Sequence, residues 1–147
     1  MSFREKENIV NILSGLLITG IFAGIIYQRH LAGQYDLTTD YQLWGKLFLV
    51  FMGISIVARI LIYIIFYIIN HITTKEEEPV SDEMDKLIKL KSTRNAYYSF
   101  SVGLVSIFPW LALGMPVYGI FIIFVASGLI TEIVENISQL YYYRKGI

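Results

Sequence analysis

The chain has 147 residues, one domain's worth, of which 55% are hydrophobic and only 16% charged, a charged share well below that of an ordinary soluble domain. Net charge is zero and there is no cysteine. That removes a global basic field for nucleic acid, and it removes disulfides, thiolate nucleophiles and Cys-ligated metal. His30 and His71 fall at opposite ends of the apolar map and are not placed to share a metal. No catalytic, metal or cofactor site is expected.

The apolar residues are gathered into four long runs. The first is Ile9 to Tyr27, "IVNILSGLLITGIFAGIIY". The second is Leu43 to Asn70, the third Ala96 to Leu113, and the fourth Pro116 to about Leu140. Each reaches, or nearly reaches, the roughly 20 residues that a helix needs to cross about 30 Å of hydrocarbon. The first run is too long for a signal peptide core and its leader "SFREKEN" is mixed in charge, so it reads as a retained span. The expected fold class is all-α: an integral membrane four-helix bundle.

Basic residues set the expected direction. With the N-terminus inside, the inner side holds Arg4, Lys6, Lys75, Lys86, Lys89, Lys91, Arg94, Arg144 and Lys145, whereas the outer side holds Arg29 and Lys46. This asymmetry predicts both termini inside. Tyr27, Trp44, Trp110 and Tyr118 mark the outer level, and Tyr97, Tyr98 and Tyr141 to Tyr143 the inner one, as amphipathic rings prefer. The turn "LGMP" makes spans three and four a tight hairpin. Pro116 suits a first helical position, and Pro109 predicts a kink inside span three.

The inner loop, residues 71–95, is the one extended polar segment between spans. "KEEEP" reads as a solvated linker. Ser81 to about Asn95 reads as a helix on the inner membrane surface, capped by Ser81 or Asp82, with acids in its first turn and bases in its last. Asp82–Lys86 and Asp85–Lys89 have the i,i+4 spacing of favourable pairs. Met84, Leu87, Ile88 and Leu90 are expected on the membrane, with the basic residues Lys86, Lys89, Lys91 and Arg94 meeting anionic lipid.

Asp82, Glu83, Asp85, Ile88, Lys91 and Arg94 spell D-E-x-D-x-x-I-x-x-K-x-x-R ahead of an apolar span, and the chain closes with "YYYRKG". Over about its C-terminal half the chain thereby resembles a group of small, uncharacterised prokaryotic four-span membrane proteins with a D-E-rich inner loop and a Y-x-R-R-G-like tail. Lys145 stands where the tail pattern has a second arginine. The resemblance implies a prokaryotic membrane location, no enzyme activity and no catalytic residue.

One permanent charge interrupts the second span. Arg59 sits inside "ISIVARILIYIIF", residues 54–66. A charge at mid-bilayer costs several kcal/mol, so it faces the bundle interior and takes a partner. The acids within a span are Glu132 and Glu135, in "GLITEIVENISQL". Counted down from Lys46, Arg59 lies roughly 20 Å deep; counted down from Pro116, Glu132 lies roughly 24 Å deep. Ser55, Arg59 and Tyr63 share one side of span two. Gly128, Glu132, Glu135, Gln139 and Tyr142 step along one side of span four. Span one offers Asn8, Asn11, Gly15 and Thr19, plus a Gly20-x-x-x-Gly24 step. The expected buried polar cluster is Arg59, Glu132, Glu135, Ser55, Tyr63 and Gln139, either a structural ion pair that fixes register or a transport site. One arginine cannot neutralise two carboxylates, and Glu135 is the expected odd acid.

The sequence therefore predicts a multi-pass protein of the cytoplasmic (plasma, inner) membrane. It would act without catalysis through contacts with the lipid bilayer, a second copy or another membrane protein, and not with nucleic acid. The alternative is a small transporter or channel subunit using the Arg59, Glu132 and Glu135 cluster.

Overall fold

In a computed structural model the described residues, 2–74 and 80–146, are all-helical apart from turns. The linker expected at residues 75–79 lies outside them. Five helices follow in chain order: α1 (Phe3–Leu31), α2 (Tyr41–Thr74), α3 (Glu83–Val105), α4 (Ile107–Ala112) and α5 (Tyr118–Lys145). Three of them, α1, α2 and α5, are long and apolar enough to cross a membrane. The spans expected at 9–27, 43–70 and 116–140 map onto these three, and α1 and α5 run on past the apolar stretch into charged residues.

Local chemistry sets the ends. Ser2 and Glu5 form a capping box at the start of α1, the Ser2 hydroxyl accepting from the Glu5 N–H and the Glu5 carboxylate accepting from the Ser2 N–H. Gly33, at φ 74°, turns the chain out of α1. Asp40 accepts from the Leu43 N–H at 3.0 Å and so starts α2. Between them, Asp36 gathers the Thr38 and Thr39 hydroxyls and their N–H groups. These donors, the Thr38 hydroxyl first, hold its carboxyl well below the usual carboxylate range.

Around the third expected span the chain divides differently from the sequence reading. No boundary separates a surface helix at 81–95 from a span at 96; α3 runs unbroken from Glu83 to Val105. The break falls at Ser106 instead. Pro109 has no N–H to give the carbonyl of residue 105, and its ring crowds that carbonyl, so α3 stops there and α4 resumes. Asp82 and Asp85 act as a capping box, and Asp85 also accepts from the Tyr143 hydroxyl at 2.6 Å. The pairs Asp82–Lys86 and Asp85–Lys89 do not form among the described residues, because these carboxylates are drawn to backbone N–H groups and to α5.

The α3 register explains the difference. Ile88, Ser92 and Ala96 repeat every four residues and are all buried, which puts one continuous stripe against α5. Ile88, expected on the membrane surface, is 0% exposed. Further along, a Cβ at Gly103 would lie 2.1 Å from the Ser127 hydroxyl, so only glycine permits that approach. At the turn, the Trp110 ring covers Gly119 and its Nε1–H donates to the Pro116 carbonyl at 2.8 Å. Polar bonds line the half of the pair nearer the α5 C-terminus: Asn95 Nδ2 donates to Ser138 Oγ at 3.2 Å and to the Tyr142 hydroxyl at 3.3 Å.

If α3 is a packed helix from its first turns, Ile88→Ala leaves a cavity and costs about 2–4 kcal/mol. Leu90→Ala, at a position 69% exposed, costs less than about 0.5 kcal/mol. Thermal unfolding of the two variants decides between a packed helix and a surface-bound one; equal losses would contradict the packing.

Candidate functional site: an ion pair in the α1–α2–α5 crevice

Contacts of α2 with the rest of the chain are spread along its length, among them Phe51 against Phe22 of α1, centroids 5.1 Å apart. Near the N-terminal end of α2, Trp44 stacks on Phe121, centroids 5.2 Å apart and planes 10° apart, and Phe48 meets Phe124 edge-on at 5.5 Å. Near its C-terminal end the Phe66 ring meets Phe3 at 5.4 Å, and Lys6 Nζ donates to Asn70 Oδ1 at 3.3 Å. Between these levels stands Arg59.

Arg59 makes a two-pronged pair with Glu132. Its Nη2 donates to Oε2 at 2.7 Å, and its Nη1 donates to Oε1. The geometry is the parallel fork that a guanidinium offers a carboxylate. Glu132 reaches this position because the residue facing it on α1 is Gly15. A Cβ there would lie 3.0 Å from Glu132 Oε2 and 3.2 Å from its Cδ. Gly15 is buried, so three helices meet at one carboxylate.

Glu135 does not join the pair. Its Oε1 accepts from the Thr93 hydroxyl of α3 at 3.0 Å, on a different side of α5. The two acids serve two interfaces: Glu132 faces α1 and α2, Glu135 faces α3. Ser55 lines the same cleft as Arg59 and Glu132, and Tyr63 lies with Arg59 on the inner side. Gln139 is half-buried on α5. Of the inner-helix residues, Asp82 and Asp85 cap α3, and Lys91 Nζ lies 5.8 Å over the Tyr142 ring. Lys86, Lys89 and Arg94 are exposed. Gly20 and Gly24 have open space beside them, so that step packs against nothing among the described residues.

Clefts open on both sides of the pair. Toward the inner end, one of about 350 Å³ between α1 and α2 is lined by Asn11, Ser14, Arg59 and Tyr63 among apolar residues. Toward the outer end, one of about 270 Å³ holds Thr19, Ser55, Gly128, Glu132 and Arg59. It shares Thr19, Phe51, Val125 and Leu129 with an apolar cleft of about 410 Å³ that rises to Trp44 and Leu37. Among the described residues no group of three His, Asp or Glu side chains is placed to hold a metal.

Sequence reasoning overlooked Gly15 as the seat of the carboxylate, Thr93 as the partner of Glu135, and Phe121 under Trp44. Gly15 had a signal, since it falls in the Asn11–Gly15–Thr19 stripe at the level of Glu132. Thr93 had none, because a threonine among charged residues reads as surface. No family model, no curated protein and no solved structure matches the chain.

Arg59→Leu strands a carboxylate, at a cost of about 2–3 kcal/mol, below the roughly 3–5 kcal/mol of a fully buried pair because this one is partly open. Adding Glu132→Gln recovers more than half of the loss. Gly15→Val pushes the carboxylate off Arg59, and its loss overlaps rather than adds to that of Arg59→Leu. Melting temperatures of these variants in detergent read the coupling; simple additivity would disprove it.

Proposed function

We propose that this chain is a four-pass protein of the cytoplasmic, inner membrane, with both termini inside, that acts without catalysis through contacts with lipid or with other membrane proteins, a second copy among them. The fourth pass in this reading is α3 from about Ala96 together with α4. Its antiparallel pairing with α5 and the exposed Val102, Val105, Phe108 and Leu113 support it. The basic residues gathered at the inner ends support the orientation.

One observation carries the functional reading. Along its 34 residues α2 buries Leu47 and Asn70 alone, while Leu49, Ile56, Val57, Leu61 and Ile69 are more than half exposed. A helix this apolar needs an apolar surround on nearly every side. Lipid or a partner helix supplies it, and interhelical packing in membranes draws on such open faces.

A second reading, a small transporter or channel subunit, draws on the clefts that flank Arg59 on both sides. A charged pair between two openings is an arrangement that pathways use. Against it, Glu135, the acid expected to stand unpaired, is bonded to Thr93.

Two measurements test these readings. Cysteine at Thr39 is labelled by an impermeant reagent in intact cells and cysteine at Ser81 is not; the reverse pattern refutes the orientation. Proton or anion flux into liposomes carrying the purified protein is unchanged by Glu135→Gln under the contact reading. A flux lost in that variant at unchanged melting temperature assigns the protein to the transporters.

A further inference from the structure

The Arg59 guanidinium offers more donors than Glu132 accepts. A guanidinium has five N–H donors, and Glu132 takes two of them. Among the described residues no other acceptor bonds to Arg59, yet its side chain keeps 42% of its exposure and lines clefts above and below. Donors left bare in hydrocarbon cost several kcal/mol each, so the site calls for an acceptor from outside the chain.

The surroundings narrow what that acceptor is. The pair is already neutral, so an added anion would leave a net charge in a low dielectric, and a cation would meet bare donors. A neutral oxygen fits. Above the pair, the crevice walls are Phe22, Phe48, Phe51, Ile122 and Val125, which offer water almost no partner but suit a hydrocarbon tail. Leu37, held by the Trp44 Nε1–H bond to its carbonyl at 2.9 Å, lines the top. From Trp44 to Arg59 the helix rises roughly 22 Å, more than half of a bilayer's hydrocarbon thickness of about 30 Å.

We propose that the crevice binds a neutral, membrane-soluble amphiphile with a carbonyl or hydroxyl head, the head accepting from Arg59 beside Thr19 and the apolar tail lying among the phenylalanines toward Trp44. This rests on the membrane placement proposed above. Gly128 lines the floor and is exposed, with nothing within 4 Å of where its Cβ would be, so a side chain there starts into open space and takes up cleft volume.

The test uses tryptophan fluorescence of the full chain in lipid nanodiscs. Trp44 stands in the crevice wall, whereas Trp110 lies at the α4–α5 turn outside it. Dibromostearyl alcohol is the probe, and dibromostearate above the pH of its ionisation is the comparison. Saturable quenching by the alcohol, weakened on the order of tenfold in Gly128→Leu, is the expected result. Ala126→Phe, which fills the outer part of the crevice, serves if Gly128→Leu does not fold, and melting temperatures check both. Purely linear quenching in the natural chain, or an equal curve in a folded variant, overturns the proposal. Stronger binding of the ionised acid also overturns it and assigns an anion site instead. Cysteine labelling at Thr39 and Ser81 on the same preparations reports the membrane placement separately, so a failed placement is told apart from a failed ligand.

Discussion

A guanidinium gripped by one carboxylate in apolar surroundings is the constraint on which the arrangement of this protein rests. The Arg59–Glu132 fork demands two things of its neighbours. The carboxylate has to approach from α5 at the depth of Arg59, and the helix facing it has to leave room. Gly15 leaves that room on α1, so a single pair fixes the mutual depth and rotation of three helices. Neither feature requires that the pair add net stability. Burial of charge removes much of what attraction returns, and the better attested use of such pairs is to select one register.

The rest of the molecule divides into two styles of packing. Helices α3 and α5 lie close, joined through small residues at Ser92, Ala96, Gly103 and Ser127 and through hydrogen bonds near the inner end. Backbones that approach this closely gain dispersion contacts that lipid tails cannot match. Helix α2 is held differently, by ring contacts from Trp44 to Phe51 and at Phe66, and by Arg59 between them. Much of the α2 surface, with Leu49, Ile56 and Ile69 among its residues, is open along the helix, and the crevice is the space left between these attachments. Elements with few contacts open at low free energy, so α2 is the helix most free to shift when a partner or ligand binds.

Much of this was legible in the sequence, and the failures have physical causes. Hydropathy located the three longest helices, because the solvent they need is written in their composition. Depth counting at 1.5 Å per residue brought Arg59 and Glu132 within a turn of each other, and the contact forms. Glu135 stays off the pair, as the odd acid was expected to, but placing it on one side of span four with Glu132 failed because a shared stripe does not fix azimuth. Three residues advance a helix by about 300°, so Glu135 is turned roughly 60° from the direction of Glu132, enough to address α3. The inner segment misled for another reason. Its charges read as a solvated face, while the interface-forming residue at its centre is Ser92, a type not read as core. Pro109 signalled a disturbance correctly, but its effect appears one turn earlier, where the carbonyl it displaces stands.

An arginine in the middle of "ISIVARILIYIIF" thus has a reason that a leucine could not supply. Every other side chain from Ile54 to Phe66, apart from Ser55 and the Tyr63 hydroxyl, is apolar. A helix apolar on all faces has no preferred rotation in lipid, because each face is solvated equally well, and ring contacts tolerate sliding by a turn. One guanidinium removes that degeneracy, since a single azimuth and a single depth deliver it to Glu132. The neutral pair that results still leaves donors facing the clefts. The residue that orients α2 is therefore also a polar donor at the floor of the outer crevice, and the demands of register and of ligand binding converge on the same side chain.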